Sequence, residues 1–104
     1  MIDDIKDEYK QRYKCKEFAD ELEAGSKENC ISGERIELNS KYSDFIYSDR
    51  FGTISNNGYH TGIKIDNIVY DNLYPEGINY YDWLTDLGFT DYPEAFNLLE
   101  IIIG

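Results

Sequence analysis

The segment NNGYHTGIKIDNIVYDNLYPEG, residues 56–77, decides how this chain folds. Two runs of alternating apolar and polar side chains, YHTGIKI and IVYDN, flank the pair Asp66-Asn67. Asp and Asn tolerate the left-handed backbone that a two-residue hairpin turn requires. The segment therefore predicts two antiparallel strands, and the first of them carries His60, the only histidine in the chain.

The turn also predicts which residues face each other across the hairpin. With a two-residue turn, Ile65 faces Ile68, and Gly62 then faces Asp71. The absence of a side chain at Gly62 is expected to leave space in which an imidazole can lie.

The same register predicts a partner for the histidine. Because side chains alternate along a strand, His60 and Asp71 point to the same face. As diagonal neighbours their α-carbons lie roughly 7–8 Å apart, within reach of a carboxylate. Asp71 is thus the predicted orienting residue, and Asn72 replaces it if a bulge shifts the register. The alternative is an ordinary surface pair of histidine and aspartate.

Composition restricts the classes of function. A chain of 104 residues with 41% hydrophobic residues is expected to form one globular domain, residues 1–104. The net charge of -11 argues against nucleic-acid binding and suits either high solubility or a basic partner. No run is long enough for a membrane span, and the acidic start MIDDIKDEYK is unlike a signal peptide. With one histidine and two cysteines, neither a zinc site nor another cofactor is expected.

The first 24 residues have helical periodicity on two stripes. The stripes consist of Ile2, Ile5, Tyr9 and Tyr13, and of Cys15, Phe18, Ala19 and Leu22. The five residues from Tyr13 to Phe18 rotate the second stripe by about 140°. Either both faces of one helix are covered, or the helix breaks near residues 13–15. We favour the break, with Cys15 starting a helix that ends near Gly25.

The remaining segments predict short strands followed by short helices. The strand candidates are RIEL (35–38) and DFIYS (44–48), whereas GTISNNG (52–58) and YPEG (74–77) are rich in turn residues. The segment INYYDWLTDLGF (78–89) predicts a short helix that ends at Gly88. The segment PEAFNLLEIIIG (93–104) predicts a helix with Pro93 in its first turn and an apolar end in the core. The tyrosine-rich INYYDW is core or lines a substrate groove. This order predicts the α+β class, with helices packed on a small antiparallel sheet.

Cys15 is the better of two candidate nucleophiles. A thiolate is favoured by a helix N-terminus and by neighbouring cations, here Lys14 and Lys16. Cys30 follows Glu28 in a predicted loop, where the acid disfavours the thiolate. A lone helical cysteine is otherwise a small buried hydrophobe. Together with a histidine base and its orienting acid, Cys15 predicts nucleophilic catalysis.

At these motifs the chain resembles a known family. The segment NGYHTGIKIDNIVYDNLYPEG, together with YKCKEFADEL upstream, resembles the papain-fold toxin domains of bacterial polymorphic and contact-dependent toxins. The resemblance covers about residues 9–90 and implies a papain-like fold with Cys15 as nucleophile, His60 as base and Asp71 as orienting residue. Papain places a glutamine upstream of its cysteine for the oxyanion hole. The upstream glutamine here, Gln11, is a secondary candidate, and the backbone N–H of the nucleophile is another donor.

The resemblance implies a cysteine-dependent amide hydrolase or acyl transferase. Peptidase, glutamine deamidase and transglutaminase use the same triad, so the sequence leaves these open. The expected setting is a toxin or effector domain that acts on a protein in the target-cell cytoplasm, is delivered at the C-terminus of a larger secreted protein and is held by a cognate immunity protein. The alternative is a non-catalytic interaction module of the same fold. A nuclease is disfavoured by the charge.

Overall fold

The computed structural model describes residues 15–28 and 31–103. In chain order its elements are α1 (Cys15–Glu28), β1 (Gly33–Ser40), β2 (Ile46–Ser48), β3 (Gly52–Ser55), β4 (Tyr59–Ile65), β5 (Ile68–Tyr70), β6 (Ile78–Asn79), α2 (Tyr80–Asp86), a 3₁₀ helix (Pro93–Ala95) and β7 (Phe96–Ile103). Five strands form an antiparallel sheet in the order β6-β5-β4-β1-β7, and β2 and β3 pair as a separate hairpin. The α+β class is confirmed.

The β4–β5 hairpin has the predicted turn and register. Asp66 and Asn67 both have positive φ angles, 52° and 70°, as a type I′ turn requires. Ile65 faces Ile68 across the ladder, which confirms the register inferred from the sequence. The next pairs along the ladder are Lys64 with Val69 and Ile63 with Tyr70.

Gly62 allows the neighbouring strand to come close. A Cβ atom at this position would lie 2.7 Å from Val69 Cγ1, 3.2 Å from the Tyr70 carbonyl oxygen and 3.5 Å from Asp71 Cβ. These atoms belong to the opposite strand, and the imidazole is not among the three nearest neighbours. The glycine therefore lets the second strand approach β4 closely where Asp71 leaves the ladder.

Helix α1 packs through the predicted second stripe. Phe18, Ala19 and Leu22 are fully buried against Ile63 of β4 and Ile103 of β7. The prediction that this helix ends near Gly25 is wrong, because the helix continues to Glu28. Ser26 in this last part is buried at 1% exposure. The proposed break near residues 13–15 and the first stripe lie outside the described residues.

A second core cluster joins the sheet to α2 and to the β2–β3 hairpin. Its buried members are Ile36, Leu38, Ile46, Ile54, Val69, Trp83 and Leu87. Helix α2 begins after Asn79, whose side chain accepts bonds from the Tyr81 and Asp82 backbone nitrogens. It ends before Gly88, whose φ of +84° confirms the predicted stop. The two clusters place α1 and α2 on the sheet that carries the candidate site.

Two segments differ from the prediction. GTIS, expected to be turn, forms β3 and pairs with β2. The 3₁₀ helix uses Pro93, but residues 96–103 then form the edge strand β7 instead of continuing as a helix. This strand pairs with β1 over eight positions, and of its last residues Ile103 is buried whereas Ile101 and Ile102 are exposed. Tertiary pairing and β-branched residues override the helix signal of the proline.

Among the described residues, none of the helices combines the length and the apolar character needed to cross a membrane.

Candidate active site

Asp71 is a buried carboxylate that accepts four hydrogen bonds. Its Oδ1 accepts from the backbone nitrogens of Leu73, at 2.9 Å, and Tyr74, at 2.7 Å. Its Oδ2 is bonded to His60 Nε2 and to Trp83 Nε1, each at 2.8 Å. An ionised carboxylate has about four acceptor positions, so this side chain is satisfied on every side. The local turn after β5 and the helix α2 together fix its position.

His60 stands on β4 and is fully buried. An ionised carboxylate accepts hydrogen bonds but cannot donate them, so Nε2, which faces Asp71 Oδ2, carries the proton in this pair. The other ring nitrogen, Nδ1, is buried and makes no hydrogen bond of ordinary geometry within the described residues. In a neutral ring held this way, Nδ1 is the atom that accepts a proton.

Cys15, the first described residue of α1, lies beside this imidazole. Its thiol is a free thiol and its side chain is 7% exposed. The thiol lies near enough to the His60 ring to help raise the pKa of His60. Nδ1 nevertheless makes no hydrogen bond of ordinary geometry among the described residues. Catalytic hydrogen bonds are often long before a substrate binds.

The charges of the pair reinforce each other. Burial lowers the pKa of His60, but hydrogen bonds and Coulomb attraction from Asp71 and Cys15 outweigh it, so that the pKa lies above its ordinary value. Burial raises the pKa of Asp71, but its bonds to His60, Trp83 and the Tyr74 backbone hold it below its ordinary value. Both directions favour an imidazolium beside a carboxylate.

Trp83 is a site residue that the sequence reasoning missed. Its indole N–H donates to Asp71, and its ring is stacked on the His60 ring, with 5.8 Å between centroids and 29° between planes. It is fully buried and so excludes water from the His60–Asp71 bond. The sequence does contain a signal, because a buried tryptophan needs a hydrogen-bond acceptor. Of the two interpretations of INYYDW, core packing is the one that fits this residue.

Cys15 lines a small cavity. It has a volume of about 150 Å³ and is lined by Cys15, Lys16, Glu17, Ile54, Ser55, Asn56, Asn57 and Tyr59. Most of these residues belong to the start of α1 and to the β3–β4 connection. Ser55, Asn56 and Asn57 contribute polar groups to a lining whose remaining surface is mostly apolar, so a carbonyl or carboxamide group can find hydrogen-bond partners there. Exposed Lys16 is bonded to Asp20 at 2.9 Å, and this bond raises the pKa of Lys16.

The secondary candidates have different outcomes. Asn72 is buried at 1% exposure, but the contact with the imidazole is made by Asp71. Gln11 and Cys30 lie outside the described residues, so their predicted roles stay predictions. Within residues 15–28 and 31–103, no group of three or more His, Cys, Asp or Glu side chains is arranged to hold a metal ion.

Comparison with known protein families gives a match over most of the chain. The family model described as papain fold toxin 2 matches residues 1–88. Neither the curated proteins nor the solved structures contain a significant match. The matched residues include the helix with Cys15, the hairpin with His60 and Asp71, and Trp83. The chain therefore belongs to the papain fold toxin 2 family.

Proposed function

We propose that this domain is a cysteine-dependent amide hydrolase or acyl transferase with Cys15 as nucleophile, His60 as base and Asp71 as orienting residue. One observation carries the proposal: a fully buried imidazole is bonded to a carboxylate through Nε2, has a second nitrogen with no hydrogen-bond partner among the described residues, and lies near a free thiol that helps to raise its pKa. These are the roles that nucleophilic catalysis requires of a thiol, a base and an orienting group.

The burial of the pair supports catalysis over packing. Replacing a buried ion pair by well-packed apolar residues is often neutral or stabilising. Stability alone therefore gives little reason for a buried ion pair at this position. His60 and Asp71 are at most 1% exposed, yet the ring contacts a cysteine from another element. Cys15 also lines a cavity that has room for a small group.

The proposed reaction passes through a thioester. His60 takes the proton of Cys15, and the thiolate forms a bond to the carbonyl carbon of an amide. The protonated imidazole then gives its proton to the leaving nitrogen as the C–N bond breaks. Water, activated by His60, attacks the thioester, releases the acid and restores the thiol. Asp71 holds the ring and stabilises the imidazolium throughout.

The acyl group and the attacking molecule distinguish three activities. A backbone acyl group with water makes the enzyme a peptidase, and a glutamine side chain with water makes it a deamidase. An amine in place of water makes it a transglutaminase. Each leaves a different product on a target protein: a new terminus, a carboxylate in place of an amide, or a cross-link.

The proposed setting follows from the family. As a toxin or effector domain, it acts on a protein in the cytoplasm of a target cell and is neutralised by a cognate immunity protein. Its delivery as the C-terminal part of a larger secreted protein belongs to the same proposal. The net charge of -11 supports a partner with a basic surface.

Expression in a bacterial cytoplasm tests the proposal. Wild type should arrest growth, whereas Cys15→Ala and His60→Ala should not, at equal levels of folded protein. Cys30→Ala is the matched control, since it removes the other thiol and should remain toxic. Mass spectrometry of the host proteins then identifies which of the three products accumulates.

The alternative is a non-catalytic interaction module of the same fold. It predicts that folded Cys15→Ala acts like the wild type, with no covalent change in host proteins. That result would overturn the catalytic proposal while leaving the family membership intact.

A further inference from the structure

The β3–β4 connection, residues 56–58, forms one wall of the cavity at the Cys15 thiol. Two backbone hydrogen bonds at Gly58 fix the position of this connection. Gly58 N donates to the Asp44 carbonyl oxygen, and Ser40 N donates to the Gly58 carbonyl oxygen, each at 2.7 Å. Gly58 has a φ of +71°, which a residue with a side chain rarely adopts. The wall is thus a fixed part of the site.

The side-chain amide of Asn57 has a defined orientation in this wall. Its Oδ1 accepts from the Tyr59 backbone nitrogen at 3.1 Å and lies 2.8 Å from Ser55 Oγ, whose one proton also has the Tyr59 carbonyl oxygen as an acceptor at 2.7 Å. A backbone N–H can only donate, so the atom that faces it must be the oxygen of the amide. The NH₂ group is therefore directed away from these two partners.

That NH₂ group is available to a ligand. Within the part of the chain that the structure describes, Asn57 Nδ2 donates to no protein atom, and Asn57 and Cys15 line the same cavity. The neighbouring Asn56 also lines the cavity, and both asparagines are exposed, but no hydrogen bond orients the Asn56 amide among the described residues. Of the two amides, only that of Asn57 is preorganised.

We infer that the Asn57 side-chain amide is an oxyanion-hole donor of this enzyme. The inference rests on the proposed function and adds a catalytic residue to it. When the Cys15 thiolate bonds to a carbonyl carbon, the π electron pair moves to the oxygen, which becomes negatively charged. A fixed N–H donor beside the nucleophile stabilises that charge without reorganising during the reaction. The donor would come from the loop before the histidine, in place of the glutamine upstream of the cysteine.

Two reagents separate the effect of oxyanion stabilisation on the reaction rate from the effect of thiol reactivity. Acetylation of Cys15 by p-nitrophenyl acetate passes through an oxyanion, forms a C–S bond and expels p-nitrophenolate. Alkylation by iodoacetamide displaces iodide at a saturated carbon and forms no oxyanion. The ratio of the two rate constants, each assigned to Cys15 by peptide mass spectrometry, therefore isolates the oxyanion contribution.

The variants are Asn57→Ala, Asn57→Asp and the matched control Asn56→Ala. Asn57→Asp keeps an acceptor for Tyr59 N and Ser55 Oγ but lacks the NH₂ group, so the loop contacts are retained. In both Asn57 variants the ratio of acetylation to alkylation should fall on the order of 100-fold, the usual effect of losing one such donor. In Asn56→Ala the ratio should stay within about threefold of wild type.

The outcomes are distinguishable. If wild type is acetylated at Cys15 and both Asn57 variants keep its ratio, the inference fails and the proposed function stands. An equal fall in Asn56→Ala would also overturn it, because the loop and not this amide would then be responsible. If wild-type Cys15 is alkylated but never acetylated, the proposed function fails and the inference falls with it.

Discussion

The imidazole of His60 and the indole of Trp83 bond to the same oxygen of Asp71, each over 2.8 Å, and their rings are stacked. The indole is fully buried and covers one face of the His60 ring. Helix α2 and the turn after β5 together fix the carboxylate, and the indole helps to exclude water from its bond to the histidine.

Trp83→Phe should weaken both stability and activity. Phenylalanine keeps an aromatic ring in this core but removes the N–H, which leaves a buried carboxylate oxygen with one donor fewer. We expect the free energy of unfolding to fall by roughly 3 kcal/mol from the lost bond and the smaller ring. Urea unfolding at neutral pH measures the first effect, and the rate of Cys15 acetylation measures the second.

Tyr80→Phe is the matched control for this change. The Tyr80 ring lies 6.3 Å from that of Trp83, and its hydroxyl oxygen is buried without a hydrogen-bond partner among the described residues. Removing a hydroxyl that has no partner should change stability by less than about 1 kcal/mol. Equal losses of stability in Trp83→Phe and Tyr80→Phe would mean that α2 is sensitive to any side-chain change. The indole N–H would then have no special role.

Asp71→Asn should be severe although it preserves shape. Two backbone N–H groups face Oδ1, and two side-chain N–H groups face Oδ2. An amide has one oxygen, so its NH₂ must point at donors on one side or the other. We expect a loss of about 3–5 kcal/mol in stability and a fall on the order of 10⁴-fold in acetylation of the folded fraction.

Asn72→Ala is the comparison for the adjacent position. Its side chain is buried, so some loss of stability is expected, but the imidazole contact belongs to Asp71. Acetylation per folded molecule should therefore fall far less than in Asp71→Asn. An inactive, folded Asn72→Ala beside an active Asp71→Asn would show that the orienting role had been given to the wrong residue.

The part of this site that is local in sequence was predictable. The Asp66-Asn67 turn fixes the ladder, and the ladder brings His60 and Asp71 together because side-chain alternation leaves no other choice. The burial of Cys15 with Phe18 on one helical stripe was predictable for the same reason, as it depends only on a period of 3.6 residues.

Contacts between distant elements were not predictable in this way. Trp83 reaches Asp71 across 12 positions because α2 folds back on the sheet, and no periodicity encodes that path. The edge strand β7 depends on β1 as a partner, so the local helix signal at Pro93 was misleading. The isoleucines at 101–103 were a contrary signal, since β-branched residues favour strands.

His60 should be protonated well above the pH at which a free histidine loses its charge. As the only histidine, its ring signals are unambiguous in NMR spectra. Its pKa is raised by Asp71 and Cys15 against the effect of burial, so the imidazolium signals should persist at neutral pH. A titration midpoint at or below about 6.5, the ordinary value, would contradict the ion pair.

The same shifts give the sign of the pH dependence of stability. The stabilisation that His60 contributes to the folded state is complete below its unfolded-state pKa of about 6.5. It is lost as pH rises through the raised folded-state pKa. The stabilisation that Asp71 contributes is complete above about 3.9 and is lost as pH falls through its depressed folded-state value. The difference in the free energy of unfolding between wild type and His60→Gln, measured with urea, should thus be largest between about pH 4 and 6.5 and should decline on either side.

Cys15 should react with iodoacetamide faster than Cys30 at about pH 6, because His60 lies near the Cys15 thiol and can take its proton as the sulfur attacks. Cys30 follows Glu28 in the sequence, and an acid nearby disfavours the thiolate. Cys15 is only 7% exposed, but the reagent is small and Cys15 lines a cavity of about 150 Å³. His60→Ala should slow Cys15 and leave Cys30 unchanged, which separates activation by the imidazole from simple access. Mass spectrometry of the two labelled peptides gives both rates in one sample.

An inert Cys15 in a folded chain would make it a packing residue, and nucleophilic catalysis at this thiol would have to be abandoned.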